Sequence, residues 1–246
     1  MKTYNDIEYK KGLNLDLSIP ETEQFDLFIY FHGGGLAKGD KGSYCPLYSP
    51  VLEEKNVAVV SVNYSLYPNA KYPDYILDCA DAVKWVFDNI SKYGKCNKIF
   101  VGGSSAGGYI SMMLCFCDKF LNDVGLKPTD IAGYIHDAGQ PTTHFNVLNE
   151  LGIDGKRIIV DEKAPMYYVG LKENYSPMLF IVSTNDMFNR YEQTMLMINT
   201  LKHFGHEKDV YLKVREGKHC HYVTKLDEDG LSTFAKMVAE FIENIK

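Results

Sequence analysis

A chain of 246 residues, 46% hydrophobic and 13% aromatic, can bury one sizeable core and suits a single large domain spanning 1–246. Its net charge of −6, with Lys and Arg scattered along it, lacks the basic footprint of a nucleic-acid-binding protein. No apolar run is long enough to span a bilayer, and the opening "MKTYNDIEYKKG" has no apolar core of a signal peptide. The cysteines (Cys45, Cys79, Cys96, Cys115, Cys117, Cys220) form neither a disulfide framework nor paired CxxC spacing, so free thiols and a cytoplasmic location are expected.

In chain order, "DIEY" and "LNLDLSIP" read as a hairpin at a sheet edge. "DLFIYF" (26–31) and "NVAVVSVNY" (56–64) are short, β-branched and aromatic, as buried strands are. "YPDYILDCADAVKWVFDNISKYG" follows with apolar residues at helical spacing and Gly94 as a stop. "KIFVGG" (98–103) is the next strand and "AGGYISMMLCFCDKFL" the next helix. Strands are expected at 130–139 and 177–186, then a helix in "NRYEQTMLMINTLKHFG". "KDVYLKVREG" is the last strand and "STFAKMVAEFIENI" an amphipathic final helix. Strand–helix alternation predicts an α/β fold, a mainly parallel sheet of about eight strands with helices on both faces. In such sheets, ligands bind at the carboxyl ends of the strands.

"VGGSSAGG" contains G-x-S-x-G between a strand and a helix, where a sharp turn exposes a serine hydroxyl. Ser105 has glycine two residues away on both sides, whereas Ser104 has Gly102 and Ala106; Ser105 is therefore the candidate nucleophile. "FHGGG" closes strand 26–31, and its glycines let backbone N–H groups approach a tetrahedral oxyanion. Gly33 and Gly34, with the amide of Ala106, are the expected oxyanion donors, and His32 is expected to prop the loop. The same glycines carry neither the G-x-G-x-x-G frame of a dinucleotide site nor a G-K-[ST] phosphate loop.

A serine needs a base, and the base an orienting acid, in the chain order Ser, Asp or Glu, His. Asp186 in "IVSTNDMFNR" lies just beyond a buried strand and is the expected acid. Asp137 in "IHDAG" falls one strand earlier and reads as a loop cap. His219 and His221 in "EGKHCHYV" are the candidate bases. His203 and His206 end a helix and read as surface residues. Zinc needs three or four ligands, and His219-x-His221 has no recognisable second cluster to complete a set. No metal and no cofactor are expected.

With these residues in place the chain resembles the α/β-hydrolase superfamily, and within it the hormone-sensitive-lipase-like carboxylesterases. "HGGG", "GSSAGG", "VNYSLYP" and "TNDMFNR" match that family's oxyanion loop, nucleophile elbow, Tyr…Pro segment and acid turn. Ser104 stands where the family commonly has Asp, and Asp186-Met187-Phe188 where it has Asp-Pro-Leu. The resemblance implies His219 as the base, since related enzymes place a glycine shortly before it, here Gly217, and His221 is the alternative. It implies an ester hydrolase acting on a small-molecule substrate with short acyl, acetyl or aryl groups. No large N-terminal cap is expected, and 140–176 is read as an insertion covering the site. No nucleic-acid or membrane partner is expected, and homo-oligomerisation is left open. Two alternatives stand beside this reading. One is an arylformamidase of the kynurenine formamidase kind, although Gly35-Leu36 replaces the Trp usual after HGG. The other is a noncatalytic ligand-binding protein on the same fold. "PMYYVGL" (165–171) is read as core more readily than as pocket wall.

Overall fold

The computed structural model describes residues 1–245. Strands β1 (Lys2–Lys10), β2 (Leu13–Ile19), β3 (Gln24–Phe31), β4 (Val57–Val62), β5 (Lys95–Ser104), β6 (Gly133–Asp137), β7 (Met178–Asn185) and β8 (Val210–Lys218) form one sheet. The helices are α1 (Tyr44–Glu54), α2 (Asp74–Asn89), α3 (Ala106–Phe116), α4 (Asp118–Asn122), α5 (Phe145–Glu150), α6 (Arg190–His203) and α7 (Thr233–Asn244). The strand order is β1-β2-β4-β3-β5-β6-β7-β8. The β1–β2 hairpin joins β4 antiparallel, and all other pairings are parallel. This is the expected α/β-hydrolase architecture.

Side-chain alternation along the central strands builds two cores. Leu27, Ile29 and Phe31 of β3 face one side with Val60 of β4, where α2 and α3 pack through Ile76, Val83, Tyr109 and Ile110. Phe28, Tyr30 and Val59 face the other, against Tyr48 and Leu52 of α1 and Phe234 and Val238 of α7. Helix α1 has no counterpart in the sequence reading. Pro50 lies inside it, and an interior proline removes a hydrogen bond and argues against a helix. Burial of Cys45, Tyr48, Val51 and Leu52 on the sheet overrides that preference. The expected helix beginning at Ala106 is in fact two, α3 and α4, broken at Cys117, whose backbone is extended. Among the described residues no helix is long and apolar enough to cross a membrane.

Candidate active site

Ser105 sits between the end of β5 and the start of α3 with φ +55° and ψ −110°, a backbone region rare for residues other than glycine. The turn is tight enough that its flanking glycines have no room for a side chain. A methyl on Gly103 would lie 2.5 Å from the Phe31 carbonyl oxygen, and one on Gly107 2.0 Å from it. The Ser105 amide donates to the Asp137 carbonyl at 2.8 Å, which ties the turn to the end of β6. Ser104, the competing serine, is 2% exposed beneath the turn.

The Ser105 hydroxyl lies 2.8 Å from Nε2 of His219, and Nδ1 of the same ring lies 2.5 Å from Oδ1 of Asp186. Residues from the ends of β5, β7 and β8 thus meet in one hydrogen-bonded line. The Met187 amide donates to Oδ1 of Asp186 at 2.7 Å. Burial pushes the Asp186 carboxyl up, but the hydrogen bond and charge of His219, the Met187 amide and the Arg190 charge together hold it below its usual range. His221 turns away: its Nδ1 lies 2.8 Å from the Lys218 carbonyl oxygen, and its ring packs under Gly217. The two histidines do not converge, and among the described residues no three His, Cys, Asp or Glu side chains are grouped to hold a metal ion.

Gly33 approaches Ser105 closely, for a methyl placed on it would lie 3.3 Å from Cβ of Ser105. Gly34 has φ +122° and accepts from the Ala37 and Lys38 amides through its carbonyl at 3.2 Å. The amides of Gly33, Gly34 and Ala106 donate to no acceptor among the described residues. His32 is fully buried, stacks on Tyr64 at 4.3 Å and places Nδ1 2.7 Å from the Gly33 carbonyl. Burial lowers its pKa against that hydrogen bond, so the ring is neutral at physiological pH. Tyr64 completes the support by donating to the His32 carbonyl at 2.7 Å.

Two features differ from the sequence reading. Asp137 caps no loop: it is fully buried at the end of β6 and accepts from the Tyr222 hydroxyl at 2.5 Å. Burial pushes this carboxyl up to about 7, although the hydroxyls of Ser104 and Tyr222 pull the other way. His206 is 8% exposed and packs edge-on against Tyr175, so it is no surface residue. Residues 165–171 pack against α3 and the core as read, with Val169 buried and Met166 and Tyr168 half-buried there, while Tyr167 and Leu171 are exposed.

A cavity of about 640 Å³ opens beside the acid turn, between residues 140–158 and 187–193. Another, of about 540 Å³, lies by Lys95 at the start of β5 and is therefore at the opposite end of the strands from Ser105. The first cavity borders the site through Met187, the neighbour of Asp186. Arg190, 3% exposed, donates to the Ala138 carbonyl and, at 3.3 Å, to Oε1 of Gln140. Asn146 of α5, next to the cavity-lining Phe145, donates to the Gly35 carbonyl and ties α5 to the glycine loop. Neither Arg190 nor Asn146 was picked out from the sequence, because both act through backbone carbonyls distant in the chain.

A mainly parallel sheet with a serine on a strained strand-to-helix turn, and an imidazole–carboxylate pair at later strand ends, defines the α/β-hydrolase class. The comparisons agree. Residues 28–145 match a family model described as the alpha/beta hydrolase fold. Probable carboxylesterase 4 of Arabidopsis thaliana is 26% identical, over 96% of this chain and 73% of that protein. Carboxylesterase NlhH of Mycobacterium tuberculosis is 34% identical over 43% of this chain and 33% of its own length. The matches to the first curated relatives span between 32% and 73% of those proteins. Among solved structures, a Thermogutta terrifontis esterase superposes with a TM-score of 0.78 at 19% identity, covering 99% of this chain and 92% of its own. The chain thus has the α/β-hydrolase fold and is similar in sequence to these carboxylesterases.

Proposed function

We propose that the protein is a serine carboxylesterase acting on small esters with short acyl groups, with Ser105 as nucleophile, His219 as base and Asp186 as acid. The observation that carries this reading is the unbroken line of hydrogen bonds from Asp186 through His219 to Ser105. With Nδ1–H donated to the carboxylate, Nε2 is the free acceptor and takes the Ser105 proton as Oγ attacks the acyl carbon. The tetrahedral oxyanion is received by the amides of Gly33, Gly34 and Ala106, each such donor being worth about 3 kcal/mol in the transition state. The imidazolium then protonates the departing alcohol. Water, deprotonated by the same nitrogen, attacks the acyl-enzyme and releases the acid and the free serine.

Residues 140–176 act as the cover of the site in this reading, and a cavity of about 640 Å³ suits a small molecule better than a long lipid chain. The carboxylesterase names of the relatives support ester hydrolysis, and nothing in the site favours the arylformamidase or noncatalytic readings. The test is a fluorophosphonate probe together with an acyl-chain-length series of chromogenic esters. The wild type should be labelled and turn over acetyl to butyryl esters, and Ser105→Ala should do neither. Folded wild-type protein that is not labelled would rule out the serine hydrolase.

A further inference from the structure

The cavity beside the triad has two kinds of wall. Phe145, Ile158, Met187 and Phe188 make it apolar along one part, and Phe188 is 87% exposed there with nothing packed over it. Lys156, Arg157 and Arg190 supply cationic charge, against the single carboxylate of Asp154. Lys156 and Arg157 are both exposed, and neither side chain has an ion-pair partner among the described residues. Asp154 is turned to the backbone instead, accepting from the Lys156 amide at 2.9 Å. A net positive lining in a chain of net charge −6 is unlike the average surface, and a concave apolar wall strengthens its field.

Two lining residues of the cavity also touch the segments around Ser105. Met187 follows Asp186 directly and donates its amide to that carboxylate. Phe145 packs over Gly35 of the glycine loop, so a methyl on Gly35 would lie 3.6 Å from the ring. The cavity wall is thus shared with the Asp186 turn on one side, and through Phe145 it neighbours the glycine loop.

We propose that this cavity selects esters bearing a carboxylate remote from the scissile bond, with their apolar body against Phe145 and Phe188 and the anion at Lys156 and Arg157. The proposal rests on the esterase reading for turnover but not for binding. Guanidinium and ammonium together take a carboxylate by charge-assisted hydrogen bonds. Both cations are exposed, so the attraction is screened by salt.

The test uses two matched pairs: 4-nitrophenyl hydrogen glutarate against 4-nitrophenyl valerate, and 4-acetoxybenzoate against 4-acetoxybenzamide. Binding of each intact ester to Ser105→Ala protein is measured by calorimetry, and kcat/KM on the wild type is corrected for spontaneous hydrolysis. The anionic member of at least one pair should bind about tenfold tighter at low salt. That advantage should shrink at about 0.5 M salt and vanish in Lys156→Gln/Arg157→Gln, which keeps its affinity for the neutral esters. Equal or better binding of the neutral member in both pairs would overturn the proposal, as would a preference that survives the double substitution. Anion-selective binding without any turnover would instead count against the esterase reading alone.

Discussion

Ser105 and Asp137 are joined by a main-chain hydrogen bond of 2.8 Å from the serine amide to the aspartate carbonyl. The bond helps hold the positive-φ turn that presents the serine, a conformation that costs of order 1–3 kcal/mol unless its surroundings enforce it. The Asp137 side chain reaches in another direction, to the Tyr222 hydroxyl three residues beyond His219. One residue at the end of β6 thus braces the Ser105 turn with its backbone and the His219 loop with its carboxyl.

That carboxyl has a consequence for stability. Its folded pKa is raised to about 7 from an ordinary value near 3.8. Between these values the folded state holds a proton that the unfolded chain has lost, so stability is highest below the lower value and falls as pH rises toward 7. Three pKa units correspond to at most about 4 kcal/mol lost above pH 7. Asn cannot ionise yet still accepts from Tyr222. Asp137→Asn should therefore raise the melting temperature more at pH 8 than at pH 5, and equal shifts at both would contradict the assignment.

The orientation of the two histidines separates their variants. His219→Ala should lower kcat/KM by about 10³-fold or more, as loss of a triad base does. His221→Ala removes only a ring held to the Lys218 carbonyl and should stay within a few-fold of wild type. Steady-state kinetics on a short-chain chromogenic ester decides between them, and the reverse pattern would move the base to His221.

Gly34→Ala tests the oxyanion loop. The added methyl would lie 1.8 Å from the Lys38 carbonyl oxygen at a φ of +122°, so the loop must shift. A displaced donor should cost about 10²-fold in kcat, with the circular dichroism spectrum unchanged. Gly12→Ala is the control: it has a positive φ but open space around it, and it should keep full activity. Wild-type turnover in Gly34→Ala would remove Gly34 from the oxyanion hole.

Chelation offers a fourth check. His219 faces Asp186 and His221 faces a backbone carbonyl, so the pair cannot share an ion as they stand. Exhaustive dialysis against a chelator should leave ester hydrolysis within error of the untreated protein, and restoration of activity by added zinc would point to metal chemistry.

The sheet and the residues that meet at Ser105 were legible because each is written locally. β-branched runs mark the strands, and a glycine pattern marks the elbow. Helix α1 was not legible, since Pro50 contradicts it and only the buried Tyr48 and Leu52 account for it. Asp137 looked like a loop cap because its partner, Tyr222, lies 85 residues away. The cavity was invisible for the same reason: Asn146 reaches Gly35 and Arg190 reaches Ala138 through carbonyls that no motif records.

The bond from Asn146 to the Gly35 carbonyl makes the 140–158 stretch more than a wall. Ser105 and His219 stand on strand ends within a sheet whose register tolerates little change, whereas the cavity is built from two stretches outside that frame. In the proposed reading, substrate preference can drift by exchange of residues 140–158 while Ser105, Asp186 and His219 stay untouched. Asn146 limits that freedom, because any replacement stretch must still supply a donor to the glycine loop.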